Sequence, residues 1–167
     1  EIPLIGVTGS NGKTTVKEMI AACLREQAKA DRLDPENSVL ATSGNLNNDI
    51  GVPTMLLRLN AGHRAAVIEM GMNRPSEIGY LTRLARPTVA VVNNAQRAHL
   101  EGMGDLAEVA REKGSIYEGL GSSGVAVVNA DDAYADYWRE INRSRRVVSF
   151  GIDQPADVSA HVGQRGL

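Results

Sequence analysis

The sequence predicts an α/β fold, a mostly parallel β-sheet with helices on both of its faces. Three observations carry that reading. Short runs of small and β-branched residues recur at 2–7, 65–71, 88–92, 125–128 and 146–150. Most are continuous rather than alternating, as suits strands buried on both faces. Stretches with helical spacing lie between them, and the first strand breaks into a glycine-rich turn that opens a helix.

That first join is the sharpest feature of the chain. It reads Gly6-Val7-Thr8-Gly9-Ser10-Asn11-Gly12-Lys13-Thr14-Thr15, and residues 16–24 follow as a helix with Val16, Met19, Ile20, Cys23 and Leu24 on one face. Glycines let backbone N–H groups turn inward on an anion, and the helix N-terminus adds its positive dipole end. Lys13 can reach β- and γ-phosphates, and the Thr14 hydroxyl can ligate magnesium. The general P-loop pattern has four residues between its first glycine and Gly-Lys, whereas only Ser10 and Asn11 separate Gly9 from Gly12. An ordinary strand-to-helix turn is the competing reading. The strand before and the helix after favour a nucleoside triphosphate site.

Residues 28–37 are polar and contain Pro35, a surface connection. A short β-leaning run, 38–42, leads into a loop over 43–53 that is rich in Asn, Asp and Gly. Its Asn45, Asn47, Asn48 and Asp49 serve either turn chemistry or substrate contact. Pro53 suits a helix start, with Met55, Leu56 and Leu59 apolar. In the next strand, Glu69 closes an apolar run, which places it at the C-terminal edge where open α/β sheets bind ligands. It is either a solvated charge or a magnesium ligand acting with Thr14. A loop and helix over 73–84 follow, then the strand 88–92 ending in Asn93-Asn94.

His99 stands in a loop at the same edge, as a surface residue or a metal ligand. Residues 105–120 read as a helix opened by Asp105 and Glu108 in the manner of a capping box. Lys113 falls on its apolar stripe, and periodicity alone favours a lysine that snorkels to water over one aimed at an active site. After the strand 125–128, Asp131 or Asp132 caps a helix over 133–142, and a strand resumes at 146.

The whole chain bounds the function. Its 167 residues make one domain, and 43% apolar with 23% charged residues is ordinary for a soluble protein. A net charge of −2 and 4% aromatics leave neither an electrostatic footprint nor a stacking platform for nucleic acid. The single cysteine, Cys23, excludes an internal disulfide, fits a reducing compartment and reads as a buried thiol. No run reaches membrane-spanning length and no signal-peptide pattern opens the chain, so the expectation is cytoplasmic. The chain begins on its first strand and stops in a polar stretch, and it reads as a piece of a longer protein.

Taken together these residues resemble the central ATP-binding domain of the Mur ligases, the ATP-dependent amide-forming enzymes of bacterial peptidoglycan synthesis. Thr8-Gly9-Ser10-Asn11-Gly12-Lys13-Thr14-Thr15 matches that family's own short-spaced P-loop. The resemblance implies that Glu69 binds magnesium, that His99 belongs to a second metal site, and that Lys113 is carbamylated by carbon dioxide. An N-carboxylysine is an anion suited to magnesium, where an ammonium would repel it. The segments 44–53, 91–95 and 99–102 are similar to the branch that adds D-alanyl-D-alanine to UDP-MurNAc-tripeptide. Arg74 and Ser76 depart from it, standing where His and Gly are expected.

The resemblance further implies ATP and two magnesium ions as cofactors, with Gly9 to Thr15 on the phosphates and Lys13, His99 and Lys113 in catalytic roles. Thr14 and Glu69 would hold one metal, His99 and carbamylated Lys113 the other, and the loop Asn45 to Asp49 would touch the uridine-diphosphate sugar. Phosphoryl transfer to the terminal carboxylate gives an acyl phosphate, which the amine of D-Ala-D-Ala attacks. Residues 1–167 would be the central domain, incomplete at its C-terminal end and without the N-terminal UDP-binding and C-terminal domains. Such a piece is expected to be inactive alone, and the full-length enzyme a monomer. A folylpolyglutamate synthetase-like ligase, a nucleotide-dependent switch without ligase chemistry, and a purely structural phosphate-binding module are the alternatives.

Overall fold

The structure, a computed structural model, describes residues 2–96 and 105–160. Strands β1 (Leu4–Thr8), β2 (Val39–Ala41), β3 (Ala65–Glu69), β4 (Val89–Val92), β5 (Val125–Asn129), β6 (Arg146–Gly151) and β7 (Val158–Ser159) form one sheet. Their order is β2-β3-β1-β4-β5-β6-β7, and every pairing is parallel. The register sets Val7 beside both Glu69 and Val91, so the ends of β1, β3 and β4 converge. All the expected strands form. The short β7 is additional, and its two exposed residues carry no apolar run to announce it.

Period-two alternation sorts the strand residues onto two faces. Leu4, Ala66, Ile68, Ala90, Val92, Ala126 and Val128 pack into one core with residues of α3 (Gly51–Leu56), α4 (Glu77–Ala85), α5 (Leu106–Gly114) and α6 (Ala135–Ile141). A 3₁₀ turn, Ser115–Gly119, extends α5 and adds Ile116 and Tyr117 to that core. The opposite face, with Ile5, Val7, Val39, Val67 and Val91, meets α1 (Lys13–Ala30) through Ala21 and the half-buried Val16, Ile20 and Leu24. A four-residue helix, α2 (Pro35–Ser38), leads into β2.

Three local expectations are corrected. Helix α1 runs from Lys13 to Ala30, longer at both ends than the apolar spacing indicated. Its buried stripe is Lys17, Ala21 and Ala28, and Met19 and Cys23 point outward, so the thiol is exposed rather than buried. The physical reason is phase: positions two residues away from Lys17 and Ala21 lie about 200° around the helix. The long helix expected over 105–120 divides into α5 and the 3₁₀ turn, although Asp105 does cap it, its carboxylate accepting from the Glu108 N–H at 2.8 Å. Neither Asp131 nor Asp132 is the N-cap of α6, which has no side-chain cap. Asp131 gathers the N–H groups of Ile152, Asp153 and Gln154 instead, which hold its carboxyl below the usual carboxylate range. Asp132 accepts from Tyr134 N–H at 2.9 Å and Ala95 N–H at 2.7 Å, tying the loop after β4 to the approach of α6.

Candidate active site

Everything of chemical interest lies where β1, β3 and β4 end. The Thr8 hydroxyl closes β1 by donating to the Met70 carbonyl at 2.9 Å. The chain then turns through Gly9–Gly12 into α1. Gly12, the residue before the helix, has φ of 73°, a left-handed conformation that glycine adopts without the strain of a Cβ. The first turn of α1 carries no acidic residue and no side-chain cap, so its N–H groups and dipole end are free for an anion. The Lys13 ammonium folds back along the loop, donating to the carbonyls of Gly9 (3.0 Å) and Ser10 (3.5 Å). That places a cation over the loop that would cradle phosphates.

Glu69 closes β3 and is 2% exposed. One carboxylate oxygen accepts from the Thr14 hydroxyl at 2.9 Å and the other from the Asn47 amide at 2.8 Å. Among the described residues no Lys, Arg or His lies within ion-pair distance of it. Burying a carboxylate without a cation is costly. Its N–H donates to the Thr42 hydroxyl at 2.9 Å, and the Thr42 carbonyl in turn accepts from the buried Lys17 ammonium at 2.9 Å. Lys17, which also pairs with Glu18, therefore fixes the backbone that aims Glu69. Sequence reasoning missed this lysine. The signal was available in its four-residue spacing to Ala21, masked by the convention that lysines face water.

The Asn-rich loop divides its labour. Asn47 reaches Glu69, and its carbonyl accepts from Gly71 N–H at 2.7 Å. The Asn48 side chain accepts from Ile50 and Gly51 N–H and starts α3. Asn45 and Asp49 are exposed beside them. Thr15 is exposed on the first turn of α1.

Lys113, on α5, is 2% exposed, against the expectation from periodicity of a snorkelling side chain. Its pKa is lowered to about 7, first by burial and then by the charge of Lys13, with Glu112 opposing. The two lysines thus feel one another's charge. His99 lies outside the described residues.

A second cluster that the sequence did not announce is the segment after β4. Asn94 accepts from Asn11 N–H (2.9 Å) and donates to the Asn11 carbonyl (3.1 Å), and its own carbonyl accepts from Ser10 N–H (3.0 Å). Ser10 and Gln96 bond reciprocally, hydroxyl to carbonyl and N–H to hydroxyl. Paired asparagines after a strand look like turn residues until the topology places them beside the loop.

Residues 7–165 match the family model of the Mur ligase middle domain. The chain belongs to the Mur ligase family. It is 48% identical over 161 residues to the UDP-N-acetylmuramoyl-tripeptide--D-alanyl-D-alanine ligase of Haemophilus influenzae, covering 96% of this chain and 34% of that protein. Among solved structures it resembles MurF from Acinetobacter baumannii, with a TM-score of 0.81 and 41% identity over 90% of this chain and 31% of that one. It also resembles the MurF ligase of Thermotoga maritima in complex with ADP, with a TM-score of 0.76 and 34% identity over 92% of this chain and 34% of that one. The chain spans about a third of the length of the curated relatives it matches. As a Mur ligase middle domain it belongs to an ATP-using family.

Proposed function

We propose that the full-length protein is an ATP-dependent ligase that adds D-alanyl-D-alanine to UDP-MurNAc-tripeptide through an acyl phosphate, in the bacterial cytoplasm. The observation that carries this reading is the pairing of Thr14 with the buried Glu69 beside the Lys13 loop, supported by a buried Lys113 that feels the charge of Lys13, in a chain 48% identical to a relative named for that reaction. A nucleotide switch needs the loop and a metal ligand but has no use for a second, buried lysine near neutrality. The same is true of a structural phosphate-binding module. A folylpolyglutamate synthetase-like ligase would share this chemistry, and the names of the relatives favour the peptidoglycan branch.

The residues fit the metal that the family implies. Glu69 and Thr14 present hard oxygen donors 2.9 Å apart, and the carboxylate is buried with no cation among the described residues. Thr14 and Glu69 would hold one magnesium, and a carbamate on Lys113 with His99 a second. When bound there, the ions neutralise phosphate charge and offset repulsion between the attacking carboxylate and the γ-phosphoryl group. Lys13 and the loop N–H groups would hold the β- and γ-phosphates and align the γ-phosphoryl group for attack. At a pKa of about 7 much of Lys113 is neutral, and its amine can attack carbon dioxide, releasing one proton to solvent and leaving an N-carboxylate. The exposed Asn45, Asn48 and Asp49, with the half-buried Asn47, offer the substrate a polar edge.

The test is phosphate release by the full-length protein, with UDP-MurNAc-tripeptide and D-Ala-D-Ala supplied separately and together. Release only with both is expected. Release with a folate and glutamate would move the protein to the rival ligase, and silence with every carboxylate would remove the ligase reading altogether.

A further inference from the structure

We propose that Asn93 is a positioning residue for the phosphate-binding loop, the post around which residues 9–12 wrap. The inference rests on the nucleotide reading of that loop. Asn93 extends the pairing of β4 with β1 by one step, its N–H donating to the Thr8 carbonyl at 2.9 Å. Its side chain then occupies the concave side of the loop. A Cβ added to Gly9 would lie 2.9 Å from the Asn93 Cβ, and one added to Gly12 would lie 3.1 Å from the Asn93 Nδ2. Both glycines of the motif are therefore small where Asn93 stands. Between them, Nδ2 donates to the Asn11 carbonyl at 2.8 Å. That carbonyl can only accept, which fixes the orientation of the Asn93 amide.

The post is itself anchored. The Asn93 carbonyl accepts from the Asn129 amide at 2.9 Å, and the other end of that amide accepts from Asp131 N–H at 3.0 Å. An asparagine relay therefore runs from the end of β5 through the end of β4 to the loop. The consequence is preorganisation. A glycine-rich loop loses much backbone entropy on ordering. Here that ordering is achieved within the fold, by the Asn93 and Asn129 side chains, before the nucleotide arrives.

The test is ATP binding by the full-length protein, measured by calorimetry, for the wild type, Asn93→Ala, Asn93→Asp and Asn129→Ala. Asn93→Asp fills the same space but cannot donate, so it remains informative where Asn93→Ala fails to fold. Losing the amide donor that holds the Asn11 carbonyl is expected to raise the ATP Kd about tenfold in either variant. The KM for ATP should rise while the KM for the amine substrate stays put, a split that a general loss of stability does not produce. Asn129→Ala should weaken ATP binding in the wild-type background and add nothing to Asn93→Ala. Unchanged ATP affinity in a folded Asn93 variant overturns the inference and leaves the nucleotide reading intact. A wild type that binds no ATP removes both.

Discussion

Lys113 shows most directly how a single side chain acquires chemistry from its surroundings. An exposed lysine is protonated at neutral pH and inert toward carbon dioxide. Buried on α5 with Lys13 in range, it sits near pH 7 and is available as a neutral amine. Lys113→Ala in the full-length protein should cut turnover about 100-fold or more, the scale of losing a group that supports a metal. Short-chain carboxylic acids should restore part of it, since they return the anionic oxygens without the amine. Steady-state rates with and without added acid decide this, and a variant that keeps its turnover overturns the carbamate. Periodicity alone placed Lys113 on an apolar stripe, and the carbamate came from the family resemblance, because spacing reveals which face a residue occupies but not how deep that face lies. The depth comes from α4, α6 and the sheet closing around α5.

At the scale of elements, the strand-to-loop joins were legible and the tertiary caps were not. The P-loop could be read because strand, glycines, Lys13 and helix are contiguous in sequence. The contact between Asn47 and Glu69 spans 22 residues, and the Asn93 contact with Asn11 spans 82, so neither leaves a local pattern. Helix α4 gives the clearest case. Its start has no side-chain cap of its own; Glu112 on α5 accepts from Ser76 N–H at 2.8 Å and Ile78 N–H at 2.9 Å. The cap comes from the neighbouring helix and couples α4 to the element that carries Lys113. Ser76 itself has φ of 71°, left-handed, and this is a position where glycine was expected from the family resemblance. The departure thus costs strain rather than a contact, since the Ser76 side chain makes no capping bond. Ser76→Gly should raise the unfolding free energy by about 0.5–1 kcal/mol, relief of left-handed strain being partly offset by a more flexible unfolded chain. Denaturant melts of the two forms measure it, and equal or lower stability in the glycine variant counts against strain at that site.

For the whole molecule, the parallel sheet and its two faces followed from the order and content of the apolar runs. The uneven cover of those faces did not. On the α1 side, Val89, Val127 and Phe150 line an open apolar groove of about 400 Å³, while the opposite face is closed by α3, α4, α5 and α6. Lys113 and Tyr117 both lie on the closed face, and their burial shapes the stability of the entire domain against pH. Lys113 titrates near 7 when folded and near 10.5 when unfolded, so between these values the unfolded chain binds the extra proton. Stability must therefore rise with pH across that window, by up to about 1.4 kcal/mol per pH unit. Tyr117 is buried with its hydroxyl donating to the Val127 carbonyl at 2.9 Å, and its pKa is raised above the ordinary value of 10.0. Above that pH the folded state holds the proton that the unfolded chain releases, and stability must fall. On the acid side, Asp131 and Asp157 have lowered pKa values, because backbone N–H groups bind their carboxylates, and stability is lost as pH drops below about 4. The metal-free protein, kept free of carbon dioxide, should accordingly be most stable near pH 9–10. Chemical denaturation from pH 6 to 11 should show the rise, and Lys113→Met should flatten it while leaving the fall above pH 10 in place. A wild type whose stability declines steadily from pH 7 upward would mean that the Lys113 ammonium is solvated after all.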